Sequence, residues 1–472
     1  MKSLKANGEK SSYFNVTALN LFFIFLFLLF GPFAKPSDCL ADNGAGLSLH
    51  ECIETALEKN WSFIQSKLRY KESTYKASAA QKELFPKIGT DYSLLWRRDE
   101  SEITIFGRKS VISPHETYNW KVYVTQPIFY GGRLWNSYKA AKLDVDISNL
   151  MMIQQANELV RHVKNLYFDL LAALKLQDEA EAAHNRLKAH LADAEAFYKA
   201  GLRTKNDFLQ SKVELAKGKE NLIKARHNVD LAKARLNLVM QRPLSDEIIP
   251  SDKLKYSESN YDLDQLYSLA LEQRPEIQAG LLAIKKAERK KNVAKAKFWP
   301  QLNLTGAYER IGDTPLMREN PFGDTEQVTL LVKASWELWN WGQTNDQTRA
   351  AGTELALAKT ALNDVKEKIL FEVREAFLRL KEAEEALKVA ESALEHAEEN
   401  YKLYNERYRQ QLATSTDVID AQTLLTQAKS RYFISVAQYA KAKANLQYAT
   451  GDEIKELKFQ EKRKKVDQVV VK

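Results

Sequence analysis

The sequence predicts an α+β membrane protein in which strands of a β-barrel wall run directly into a long α-helical coiled coil, the whole built as an internal two-fold repeat. Three observations predict it. VTQPIFYGGRLWNS (residues 124–137) passes from a period-two pattern to a helical one across two glycines, and ASWELWNWGQTNDQ (residues 334–347) repeats that passage 210 residues later. Residues 134–200 and 353–450 contain neither glycine nor proline, the mark of uninterrupted helix. Stretches of about ten residues alternate apolar with polar side chains, which suits a barrel wall.

The elements follow in order. Lys2, Lys5 and Lys10 precede the apolar run ALNLFFIFLFLLF, a GP pair and small residues near Ala34 and Ala41. Residues 1–41 therefore read as a secretory signal, cleaved after Cys39-Leu40-Ala41. Its roughly 13 apolar residues fall short of the ~20 that span a bilayer as a helix. Ser37-Asp38 before Cys39 argue against a lipoprotein, and cleavage leaves Cys52 alone, so no disulfide framework is expected.

The first repeat is assigned to residues 42–250 and the second to residues 251–452. LSLHECIETALEKN (residues 47–60) matches YDLDQLYSLALEQR (residues 261–274) at an offset of 214, each a short amphipathic helix. At the same offset Phe85-Pro86 and Trp299-Pro300 end a helical tract and begin a strand. The strand hairpins are expected over about 86–130 and 300–340.

In the first, Ile88, Thr90, Tyr92, Leu94 and Trp96 share one face, and Tyr118, Trp120, Val122 and Val124 share another. In the second, Leu302, Leu304, Gly306 and Tyr308 alternate with Gln301, Asn303, Thr305 and Ala307, and Val328, Leu330, Val332 and Ala334 alternate with Thr329, Leu331, Lys333 and Ser335. The polar stretches at 97–116 and 310–326 read as exposed loops. Four strands per chain cannot close a barrel, and lipid forbids an open edge, so several copies must share one.

Long helical hairpins follow at about 136–243 and 344–450, broken near Gly201 and Gln411. At ~1.5 Å per residue the first run of each is on the order of 90 Å, beyond any compact domain. Val160, Val163, Tyr167, Leu170, Leu171 and Leu174 form one face that should pack against partners, with Arg161, Asn165 and Asp169 opposite. Residues 453–472 are a polar tail.

The formal charge of +8 comes with interleaved acids and bases, and the cluster EKRKK lies in that tail. Nucleic-acid binding is not expected. No metal-ligand spacing occurs among the seven histidines, and GxSxG, Walker, GxGxxG and HExxH patterns are absent. The chain is expected to be neither an enzyme nor a cofactor carrier.

LSLHECIETALEKN, QPIFYGGR, YKAGLRTKNDFLQSKVEL (residues 198–215) and YRQQLATSTDVIDAQTLL (residues 408–425), in this order and repeated, resemble the TolC-type outer-membrane efflux proteins over residues 47–451. The resemblance implies a homotrimer with a 12-stranded barrel in outer-membrane lipid and a periplasmic tunnel of twelve helical segments. It implies a passive conduit of a tripartite efflux or type I secretion system, docked to a periplasmic adaptor and fed by an inner-membrane pump. The rival reading is an exported periplasmic coiled-coil scaffold without a barrel.

Site expectations follow. Asp417 and Asp420 lie three apart at a helix start and so on one face, and the resemblance makes them acids of the pore constriction. Thr414 to Asp417 also has the spacing of an N-terminal cap, as has Thr204 to Asp207, whereas Asp420 has Gln210 as its repeat counterpart. The resemblance places Asp207 and Tyr408 in a latch on the closed tip; its usual arginine falls at Ala413, leaving Arg203 or Arg409 to replace it.

Gly201, Leu202, Arg203 and Thr204, with Leu412, Ala413 and Thr414, form the tips that would meet the adaptor. Gln411 stands where a second turn glycine is expected, so that tip should differ in shape. Gly131, Gly132 and Gly342 mark the barrel–tunnel junction, with Gly132 expected to tolerate change least.

Overall fold

The computed structural model describes residues 46–252, 261–318, 320 and 323–451. The expected signal at 1–41 and the tail at 453–472 lie outside the described residues. Ser48 opens α1 (Leu49–Lys59) with a capping box on Glu51. Asn60 then accepts from the backbone N–H groups of Ser62 and Phe63 and caps α2 (Trp61–Lys82). After Pro86 the chain extends as β1 (Lys87–Trp96).

Residues 97–116 are not the plain loop that their polarity suggested. They contain β2 (Ser101–Ile105) and β3 (Arg108–Ser113), a separate antiparallel hairpin. Its two turn residues, Phe106 and Gly107, both have positive φ, at +49° and +77°. That is the twist-matched turn that closes two-residue hairpins.

β4 (Glu116–Phe129), β5 (Gln301–Gly312) and β6 (Glu326–Ser335) complete an antiparallel sheet of order β1-β4-β5-β6. Its register sorts the side chains by face. Ile88, Val124, Gly306 and Leu330 form one cross-strand row, and Thr90, Val122, Tyr308 and Val328 the next. The opposite face carries the row Asp91, Lys121, Glu309 and Gln327, in which Lys121 and Glu309 approach to 3.8 Å. One face is thus apolar and the other polar. The apolar face stays open, with Val328 81% and Ile88 78% exposed.

Below the sheet run α3 (Arg133–Lys199) and α7 (Gln343–Arg409), each of 67 residues. At ~1.5 Å per residue each is about 100 Å long. They fold back into α4 (Lys205–Met240) and α8 (Ser415–Thr450), each of 36 residues. α5 (Leu263–Gln273) and α6 (Pro275–Lys295) flank the second long helix as α1 and α2 flank the first.

Two apolar cores hold these helices. One joins Cys52 and Ala56 of α1 to Val163, Tyr167 and Leu170 of α3 and Leu236 and Met240 of α4. The other joins Leu266 and Ala270 of α5 to Val373 and Leu380 of α7 and Tyr439 and Leu446 of α8. The predicted apolar face of α3 is therefore buried. Burial pushes the Cys52 thiol up to about 12, so this cysteine is an inert packing residue.

The opposite face of α3 also has a partner. Lys441 Nζ donates to Asp169 Oδ1 at 2.7 Å and Asn165 Nδ2 to Asn445 Oδ1 at 3.2 Å, a polar seam between α3 and α8. Among the described residues no helix is long and apolar enough to cross a membrane.

Candidate functional site

The free ends of the two hairpins are the first candidate site. Both turns use the same hydrogen bonds. Gly201 N donates to Tyr198 O and Leu202 N to Phe197 O, while Gln411 N donates to Tyr408 O and Leu412 N to Arg407 O. This is the Schellman closure of a helix C-terminus, and it requires a left-handed residue. Gly201 supplies it at φ +71° and Gln411 at φ +64°. The expectation that Gln411 changes the tip's shape is thus corrected: three-centre closure of the helix end imposes the conformation and glutamine accepts the strain.

Past the turns, Thr204 and Thr414 cap α4 and α8 by accepting from the N–H groups of Asp207 and Asp417 at 3.3 and 3.2 Å. Asp417 completes a capping box: its carboxylate accepts from Thr414 N at 2.8 Å and Thr414 Oγ1 at 2.7 Å. Those two bonds hold its carboxyl below the usual aspartate range. Asp420, one turn on, is exposed and bonds to nothing among the described residues. The two acids therefore differ in kind, one turned back on the helix end and one free.

Tyr408 is wholly buried behind the second tip. Its ring lies 5.6 Å from Phe197, 4.8 Å from His190 and 5.3 Å from the Arg203 guanidinium carbon. Arg203 also donates to the carbonyl of Ala413. Arg203 thus reaches from the first tip to the second, at the residue where the arginine was missing. Arg409 instead lies 3.6 Å from Asp193. Asp207 makes no hydrogen bond or ion pair to Tyr408 or Arg203. Burial pushes the Tyr408 hydroxyl above its ordinary range.

Three further residues of this cluster had no distinguishing sequence signal. His190 Nε2 lies 2.9 Å from Ser415 Oγ, and Ser415 Oγ lies 3.1 Å from Ser211 Oγ. All three are buried, at 6%, 0% and 1% exposure. They tie α3, α8 and α4 together behind the turns, and His190 Nδ1 has no partner. Leu202 and Leu412 are the exposed apolar points of the tips, at 52% and 74%. Ala413 is the exception among the expected docking residues, because its side chain is buried with Tyr408 and Val418.

At the other end, Gly131 and Gly132 take φ of +60° and +81°, and Trp341 and Gly342 take +54° and +83°. The same two-residue left-handed step turns each strand into its helix. A Cβ on Gly131 would meet the Ala296 carbonyl oxygen at 2.5 Å and Trp299 Cβ at 2.9 Å, whereas one on Gly132 meets only Asn136 Nδ2 at 3.3 Å. Gly131, not Gly132, is therefore the more constrained position. Trp341 keeps its side chain there because it is 89% exposed. Among the described residues no group of His, Cys, Asp and Glu converges as a metal site.

Comparison with known proteins agrees with this architecture. A family model described as outer membrane efflux protein matches residues 52–240 and 266–452. The chain superposes on the CmeC outer membrane channel of Campylobacter jejuni with TM-score 0.75 and 16% identity, covering 85% of each chain. It superposes on VceC of Vibrio cholerae with TM-score 0.72 and 19% identity, covering 85% of this chain and 96% of that one. For the MtrE outer membrane channel of Neisseria gonorrhoeae the values are 0.71 and 18%, covering 85% and 88%. A search of curated protein sequences found no match. With the sheet, the two 67-residue helices and a family match over most of its length, the chain belongs to the outer membrane efflux protein family, whose members are TolC-like channels and not enzymes.

Proposed function

We propose that three copies of this chain form one conduit, with twelve strands closing a barrel in the outer membrane and the helices continuing it as a periplasmic tunnel. The observation that carries this is the sheet. Among the described residues β1 and β6 each keep one edge without a partner strand, and the face they share is apolar and exposed. In lipid an unpaired backbone edge costs several kcal/mol per group, so neighbouring copies must pair those edges. The polar row of Asp91, Lys121, Glu309 and Gln327 then lines the lumen. The matching lengths of the two halves support an internal two-fold repeat over residues 42–250 and 251–452.

Transport is passive: this chain supplies a path, while an inner-membrane pump supplies energy and a periplasmic adaptor joins the two. Leu202 and Leu412, the exposed apolar points of otherwise polar tips, suit the adaptor contact. Asp420 faces the constriction with Asp417 beside it, and Tyr408, Arg203 and Asp207 act at the latch. Asp207 holds no partner of its own chain there, so it is left for a neighbouring copy.

Extraction decides the reading. The protein should fractionate with outer-membrane lipid and run as a detergent-resistant trimer that conducts ions in planar bilayers. Recovery in the soluble periplasm without detergent would restore the scaffold reading.

A further inference from the structure

The chain's charge is concentrated where the helices meet the strands. Four segments enter or leave the sheet there, residues 82–87, 126–142, 288–300 and 336–350. Together they hold eleven basic and four acidic residues, a net +7 against the +8 formal charge of the whole chain.

These cations also lack the partners that the rest of the chain provides. Elsewhere lysine and arginine face carboxylates one helical turn away, as in Lys76–Glu72, Lys199–Glu195, Lys224–Glu220 and Arg379–Glu375. Within the band only Arg349 has a carboxylate in reach, Asp346 at 3.9 Å. The other ten form no ion pair within 4 Å among the described residues, although Asp146 and Glu288 line one pocket with Lys139, Lys142 and Arg289. Like charges held together with an excess over their counter-charge repel, so a surface of this kind is completed by external anions.

The neighbouring side chains say at what depth those anions sit. Phe85, Trp299, Trp336, Trp339 and Trp341 are 55%, 60%, 58%, 73% and 89% exposed. Exposed tryptophan at the end of a barrel strand marks the headgroup level. Lys82 and Lys87 flank Phe85, Lys295 and Lys297 precede Trp299, and Arg133 and Lys139 flank the exposed Trp135, each within two turns of the ring. Lys139 Nζ lies 4.6 Å from the Trp135 ring centre, and the Arg133 guanidinium carbon 5.0 Å from that of Tyr130. Long basic side chains with apolar stems and charged ends reach back to the interface from such positions.

We propose that this band binds the headgroups of anionic phospholipids in the periplasmic leaflet, so that the trimer gathers a ring of anionic lipid around its waist. The proposal rests on the outer-membrane reading above. Acidic cell-wall polymer is the competing anion, but it lies away from the aromatic ring depth, which favours lipid.

The test reconstitutes the full chain into vesicles of phosphatidylethanolamine and phosphatidylglycerol at a ratio of about 3:1, extracts it in mild detergent and counts retained lipids by native mass spectrometry. The ratio of phosphatidylglycerol to phosphatidylethanolamine among the retained lipids should be about five-fold above the bulk ratio, from the attraction of several clustered cations. The enrichment should fall to near the bulk share when Lys82, Lys87, Lys295 and Lys297 are all changed to glutamine, and persist in a Lys359→Gln, Lys402→Gln control. Retention of phosphatidylglycerol at its bulk share, or equal enrichment in the quadruple variant, overturns the proposal while leaving the barrel reading intact. Bulk-share lipid together with wild-type-only binding to purified cell-wall sacculi overturns it in favour of the polymer. Failure of the folded protein to enter the vesicles overturns the membrane reading and this proposal with it.

Discussion

His190 Nε2 on α3 lies 2.9 Å from Ser415 Oγ, the first residue of α8, in a pocket where neither residue meets solvent. This pair, extended to Ser211 on α4, joins the two hairpins directly behind their tips. Burial holds the His190 pKa below its ordinary 6.5, with Asp193 opposing more weakly. Ser415 and the Tyr408 ring lie directly against His190, Ser211 meets Ser415, Arg203 lies 5.3 Å from the Tyr408 ring, and Asp193 is the charged group that acts on the imidazole.

A depressed histidine pKa means that the tip with His190 buried binds the proton less readily than one in which it is exposed. Its contribution to stability is complete above about pH 6.5 and is lost as pH falls toward the lowered value. Amide-exchange protection at 197–204 and 407–415, taken relative to the intrinsic rate at each pH, should therefore fall on acidification below about pH 6.5. His190→Gln should flatten that profile, because glutamine keeps a polar group but does not titrate. An unchanged profile in the variant would remove His190 from the tip's pH response.

The two acids of α8 separate by experiment. Asp420→Ala should weaken block by multivalent cations in bilayer recordings with no loss of trimer stability, because Asp420 is exposed and without a partner. Asp417→Ala should cost about 0.5–2 kcal/mol at the tip through loss of the capping box. Undiminished block in the double variant would defeat the ring assignment.

The tips offer opposite substitutions at equivalent positions. Gln411→Gly should stabilise the second tip by up to about 1 kcal/mol, since a left-handed non-glycine residue carries roughly 1–2 kcal/mol of strain. Gly201→Gln should destabilise the first by a similar amount. Thermal or denaturant melts of both variants check the sign. A destabilising Gln411→Gly would mean that the glutamine side chain contributes more than its backbone costs.

At the junction, Gly131→Ala should reduce the heat resistance of the proposed trimer most. Its Cβ would meet backbone, the Ala296 carbonyl at 2.5 Å, which cannot rotate away. Overpacking of this sort typically costs about 1–3 kcal/mol beyond the backbone strain. Gly342→Ala meets nothing within 4 Å and carries the strain alone. Gel mobility after stepwise heating ranks the variants, and equal losses at both sites would contradict the clash.

Much of this architecture was legible because its causes are local. The glycine- and proline-free tracts lie largely within α3, α7 and α8, α4 tolerates Gly218 and α7 Gly352, and period-two stretches became β1, β4, β5 and β6. The Thr-x-x-Asp spacings became caps. Each rests on residues within a turn or a strand of one another, so the chain carries the signal wherever it folds. The β2–β3 hairpin was missed because its strands are short and polar loops look alike in composition.

By itself the sequence determined the order of the long helices and of the four barrel strands, the two faces of the sheet, and the turns at the hairpin tips and at the strand-to-helix junctions. Only the tertiary structure decided that Gln411 turns left-handed, that Arg203 crosses to Ala413 and Tyr408, that Gly131 is the tighter junction glycine, and that His190 is buried. These depend on atoms brought together from distant positions: Arg203 meets a carbonyl 210 positions away and His190 a hydroxyl 225 positions away. No local periodicity encodes such a meeting, because hydrogen bonding and exclusion of water act between surfaces that exist only once the helices have packed.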